Sequence, residues 1–136
     1  MHFRTLLALI AMPLSFAAAQ SQSDMNLDAI KTARRADATL NALYRQLETA
    51  YRVDSVALRK LRVAQRAWVK FRDAQLDATY PAVDQGQAYG SVFPMCFYDE
   101  IVTLTKARIA QLQLALKPAK GDVCSGGPGL VPDPEL

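Results

Sequence analysis

The sequence predicts an all-α domain, a long antiparallel helical hairpin over about 24–52 and 55–80 with a third helix over about 92–117 packed across it. Asp24 to Tyr80 contains neither Gly nor Pro and is rich in Ala, Leu, Arg, Lys and Gln, residues that cost little in a helix. Apolar residues recur there at helical spacing: Ile30, Ala33, Leu40, Tyr44, Leu47, Tyr51, then Leu58, Leu61 and Trp68. Nothing alternates with the period of a strand.

The run from Asp24 to Tyr80 is long for one helix, and Val53-Asp54-Ser55 is the natural break, because Asp54 or Ser55 can accept a hydrogen bond from a free N–H of a new first turn. Folding there sets a register in which facing residues have numbers totalling about 109. Tyr51 then meets Leu58, Leu47 meets Leu61, Tyr44 meets Gln65, Leu40 meets Trp68 and Asp37 meets Arg72. Pro81, Gly86 and Gly90 mark a loop from Tyr80 to Gly90. Ser91 is placed to cap the third helix, and Pro94 is tolerated in its first turn, where N–H groups lack intrahelical partners. Ile101, Leu104, Thr105, Arg108, Leu112 and Ala115 form its stripe, and Lys117-Pro118 ends it. Residues 118–136 hold four Pro and four Gly, a tail without a core of its own.

Residues 1–19 read as a secretory signal peptide. A basic Arg4 precedes an apolar run from Leu6 to Phe16, and Ala17-Ala18-Ala19 gives the small-residue cleavage pattern. The apolar run is too short to span a bilayer and no lipid-acceptor Cys follows it, so the expected product is a soluble periplasmic or secreted chain of 117 residues. Its helical domain covers 20–117. Charge is divided along it: residues 31–72 hold eleven Lys/Arg against three acids, whereas residues 73–136 hold four against eight. The basic stretch is read first as a solvated helix face, and otherwise as a docking surface for an acidic protein, peptidoglycan or anionic lipid. Nucleic acid is excluded as a partner by export and by the small net charge.

Catalysis finds no footing. His2 lies in the signal peptide, so the exported chain has no histidine and none of the triads, dyads or common zinc sites built on it. No cofactor motif and no metal site is expected. Cys96 and Cys124 can form a disulfide in an oxidising compartment. A helix running from Cys96 to residue 116 would, however, carry the chain about 30 Å away, and eight more residues reach back about 28 Å at most. A bridge, a free thiol and an intermolecular pair all stay open.

Four strings, in this order, carry a family resemblance: Asp37-x-x-Leu40-Asn41-x-x-Tyr44, Gln65-x-x-Trp68-x-x-Phe71-Arg72-Asp73-Ala74, Gly90-Ser91-x-x-Pro94-Met95, and Thr105-x-x-Arg108-x-x-x-Leu112. Together they resemble the LprI-like lysozyme-inhibitor family over about 24–117. The resemblance implies an all-helical, non-enzymatic periplasmic domain with lysozyme, or another envelope protein, as partner. Where the family commonly has two further Cys, this chain has Leu76 and Glu100.

Asp37, Asn41, Gln65, Arg72, Thr105 and Arg108 fall on or beside inward stripes and are expected to form a buried polar network joining three helices, with Asp37 paired to Arg72, Arg108 or both. Tyr44 and Trp68 are expected as core aromatics. For partner contact, the loop bearing Tyr80, Asp84, Tyr89 and Ser91 is the candidate, because inhibitors of groove-shaped enzymes commonly insert a loop. Asp77, Asp84, Asp99 and Glu100 give that end the sign that attracts a basic lysozyme.

Overall fold

The computed structural model describes residues 21–117 and residue 124. The expected signal peptide, 1–19, and nearly all of the expected tail, 118–136, lie outside the described residues. Among the described residues four helices follow in order: α1 (Gln22–Ala50), α2 (Ser55–Thr79), α3 (Gln85–Tyr89) and α4 (Phe93–Leu116). No described residue is in a strand.

Helix α1 begins two residues before the expected start because Ser21 closes a capping box. The Ser21 hydroxyl accepts from the Asp24 N–H at 3.1 Å, and the Asp24 carboxylate accepts from the Ser21 N–H at 3.2 Å. The break falls where the sequence placed it, at 51–54. There one carboxylate oxygen of Asp54 accepts from the N–H groups of both Val56 and Ala57 at 2.9 Å. Two ion pairs across the hairpin, Asp37–Arg72 at 4.0 Å and Glu48–Arg62 at 2.8 Å, keep the expected register.

Two expectations for the second half of the chain need correction. The loop after Tyr80 contains the short helix α3, whose first turn is capped by the Asp84 carboxylate accepting from the Gln87 N–H at 3.0 Å. Ser91 does not cap α4. Val92 already has helical dihedrals (φ −80°, ψ −16°), so no extended cap residue precedes the helix, and no side chain caps it. The Ser91 carbonyl instead accepts from Asn26 Nδ2 at 3.0 Å, tying the start of α1 to the start of α4.

The closest helix pair is α1 with α4, whereas the hairpin partners α1 and α2 stand further apart. The expected long hairpin with a further helix packed on it is present, and its narrowest seam lies between α1 and α4. Asn26 meets Ser91 at one end, and Leu43 and Gln46 share a groove with Gln113 and Leu116 at the other, so α1 and α4 run parallel. Small buried residues explain the close approach: Ala29 and Ala33 on α1, Val102 and Thr105 on α4. Toward their C-terminal ends the spacing is filled by Leu40, Leu47 and Leu112, and around this cluster pack Tyr44, Leu61, Trp68 and Ile109. Leu76 adds the buried contribution of the C-terminal half of α2.

Thr105 is completely buried, and among the described residues its hydroxyl has no hydrogen-bond partner. An unmet buried hydroxyl costs about 1–3 kcal/mol, and valine has almost the same shape without that cost. Thr105→Val should therefore raise the melting temperature, by about 1 kcal/mol of added stability. Asp37→Ala in the same thermal melts should lose less than about 1 kcal/mol, because its carboxylate is 52% exposed in the ion pair.

Candidate functional site

The six polar residues expected as one buried network separate into two groups and one isolated hydroxyl. Asp37 and Asn41 are exposed, and Asn41 Nδ2 donates to Asp37 at 3.1 Å. Arg72 reaches Asp37 from α2 and also forks onto its neighbour Asp73, with Nε and Nη2 at 3.0 and 2.9 Å. Its guanidinium carbon lies 5.5 Å from the centre of the Trp68 ring, a cation–π contact that holds the fork in place. On the other group, Arg108 Nε donates to the buried Gln65 at 3.1 Å and Nη1 donates to Gln111 at 3.0 Å. Burial lowers the pKa of Arg108 from the ordinary guanidinium value. The six do not form one buried network, since Asp37 and Asn41 are exposed and their polar contacts run to each other and to Arg72 of α2. These groups pin α2 to α1 and α4, and they resemble structural clamps more than a reaction centre.

Tyr44 and Trp68 pack against the leucine cluster as partly buried side chains. The Tyr44 hydroxyl donates to Glu48 at 3.2 Å, and the same carboxylate oxygen receives Arg62 Nε at 2.8 Å. Hydrogen bonding from Arg62 holds the Glu48 carboxyl below its usual pKa. Cys96, half-buried in the first turn of α4, and Cys124, exposed, are not joined by a disulfide. Among the described residues no group of His, Cys, Asp and Glu could hold a metal ion. Nor is any described helix long and apolar enough to cross a membrane.

The loop end is more highly built than its Gly and Pro content suggests. Tyr80, at the end of α2, is the hub of an aromatic cluster. Its ring meets Tyr89 edge-on at 5.5 Å, Phe93 edge-on at 5.2 Å and Phe97 at 6.0 Å between centroids. Tyr89 stacks on Phe93 at 5.4 Å, and Phe97 meets Tyr98 edge-on at 5.6 Å. Such pairs add about 0.5–1.5 kcal/mol each beyond area burial, so the cluster fastens the loop to the start of α4. Phe93 and Phe97 were not among the expected site residues, although their four-residue spacing puts them on one face of a helix.

Side-chain-to-backbone bonds complete the loop. Gln85 Nε2 donates to the Tyr80 carbonyl at 3.4 Å, and the Ala82 N–H donates to the Tyr89 hydroxyl at 3.3 Å. Gly90 ends α3 with φ 70° and ψ −166°, a conformation essentially reserved for glycine. The result is a knob braced by aromatic contacts, in which Val83 is fully exposed and Asp84 and Ser91 are also exposed. Asp77 and Asp99 are exposed and Glu100 half-buried around the knob. The negative character is felt inside the cluster. Burial first, then the charges of Cys96, Glu100 and Asp99, raise the pKa of Tyr80. What this arrangement offers chemically is a shaped, acidic, partly apolar protrusion.

A folded-state pKa above the unfolded one means that stability is fully present below the ordinary tyrosine value of about 10 and is lost as pH rises through the raised value. The melting temperature should therefore fall above that pH, and Tyr80→Phe should flatten part of the fall. A pH series of melts from neutral to strongly alkaline checks this, and an unchanged slope in the variant would detach Tyr80 from the effect.

Comparison with known proteins gives a consistent result. The chain matches the family described as Lysozyme inhibitor LprI over residues 16–112. It is similar to the Uncharacterized protein R02472 of Rhizobium meliloti (strain 1021), with 35% identity over 114 residues, covering 75% of this chain and 78% of that protein. No solved structure matches it significantly.

Proposed function

The chain belongs to the Lysozyme inhibitor LprI family, and we propose that it is an exported, non-enzymatic inhibitor that blocks a lysozyme through the acidic aromatic knob between α2 and α4. The observation that carries this reading is the knob itself. It projects a fully exposed Val83 beside Asp84, on a base stiffened by the Tyr80–Tyr89–Phe93–Phe97 stack. Preorganisation matters because a loop already fixed in its bound shape loses little conformational entropy on docking. The sign of charge matters too. Animal-type lysozymes are basic, so Asp77, Asp84, Asp99 and Glu100 steer them toward this end, while the basic stretch of α1 and α2 steers them away. Contact through the knob would place an apolar tip in the substrate groove with carboxylates at its rim.

Cell-wall lysis assays test the proposal, with the secreted chain titrated against chicken-type, goose-type and bacterial lysozymes at two salt concentrations. Stoichiometric inhibition of a basic lysozyme is expected. Val83→Arg should weaken it by about tenfold or more, since it drives a charge into the apolar part of the contact without touching the fold. Inhibition that ignores Val83→Arg would move the contact elsewhere. If no lysozyme of any class is inhibited, the proposed function is wrong.

A further inference from the structure

We propose that the outer face of α2 is a docking surface for an anionic lipid bilayer. This face is separate from the knob and does not depend on the inhibitor reading. Val56, Val63 and Phe71 are 49%, 57% and 53% exposed, large apolar side chains that the fold leaves uncovered. With the exposed Ala67 they fall within an arc of about 80° on the helix and extend about 22 Å along it. Helix α2 can leave this row bare because its opposite side already supplies Leu61, Gln65, Trp68 and Leu76 to the interior.

Cations accompany the row. Arg59, Lys60, Arg66 and Lys70 are exposed, and among the described residues none of them is ion-paired. Lys60 rises within the row, where its stem can lie along the apolar surface while the ammonium reaches a headgroup. Arg66 and Lys70 rim an open groove of about 390 Å³ between Tyr44 and Val69, which is room for a phosphate headgroup beside the apolar row.

The combination selects the occupant. An anionic polymer would use the cations and leave Val56, Val63 and Phe71 in water. A second copy of the chain would cover the apolar row, but it would set the six Lys/Arg and two Asp of α2 against the same charges. An anionic bilayer satisfies both halves. The apolar side chains enter the headgroup–acyl boundary, and the cations lie on the phosphates.

Co-sedimentation of the secreted chain with phosphatidylglycerol-containing vesicles, against phosphatidylcholine vesicles, tests this. Binding is expected to the anionic vesicles alone. It should drop about tenfold or more in Val63→Ser/Phe71→Ser and, separately, in Lys60→Glu/Arg66→Glu. Far-UV circular dichroism and thermal melts of each double variant keep folding out of the result. No sedimentation with anionic vesicles overturns the proposal. Sedimentation unaffected by the serine pair overturns it as well, in favour of plain charge adhesion. A concentration-dependent dimer abolished by the serine pair overturns it in favour of a second copy.

Discussion

The close parallel packing of α1 against α4 is the constraint on which the rest of the molecule depends. Two parallel helices cannot be joined by a short turn, so the intervening chain has to travel back along their whole length. Helix α2 is that return path, and the knob of residues 80–92 is the corner at its end. The seam can be narrow because Ala29 and Ala33 are small, and it is closed at its far end by Leu40, Leu47 and Leu112. Thr105 belongs to the same constraint. Its methyl and hydroxyl fill a seam position like a valine, at the cost of an unpartnered oxygen.

Because the seam occupies the best-packed faces of α1 and α4, α2 is held more loosely and by longer side chains. Leu61 and Trp68 reach the core, Arg62 reaches Glu48, Arg72 reaches Asp37, and Gln65 receives Arg108. An element attached through one side keeps the other free, which leaves the apolar row of α2 in solvent. The corner at the end of α2 faces a different problem, a sharp turn with little core beneath it. It is solved by five aromatic rings in contact, from Tyr80 through Tyr98. Two surfaces of opposite sign, an acidic knob and a basic helix face, thus follow from one packing decision. On the two proposals, the first would meet a protein partner and the second a lipid surface.

Much of this was legible in the sequence. The absence of Gly and Pro, the helical spacing of apolar residues and Asp54 mark α1, α2 and their turn, and the hairpin register sets Asp37 opposite Arg72, while the choice between Arg72 and Arg108 as its partner stays open in the sequence. What could not be read was which pair of helices would lie closest. The stripe of α1 through Ala33, Leu40 and Leu47 fits α2 or α4 equally well, and only the three-dimensional match of small residues decides between them. Helix α3 is not legible in the sequence because five residues give no periodicity and Gly86 disfavours a helix. The polar strings shared with the family looked inward on a helical wheel, yet a shift of a fraction of a turn placed Asp37 and Asn41 on the shoulder, in water. The aromatic corner is half legible: Tyr80 and Tyr89 stand in the loop, whereas the contacts of Phe93 and Phe97 depend on how the loop folds back on α4.

Native-state hydrogen exchange, residue by residue under mild denaturant, tests the primacy of the α1–α4 seam most directly. The amides around Leu40, Leu47, Thr105 and Leu112 should share the highest protection and open together, while those of α2 exchange through an opening of lower free energy. If α1 and α2 instead formed the most protected unit and α4 exchanged first, the hairpin would be the foundation, and the order of dependence argued from the seam would be reversed.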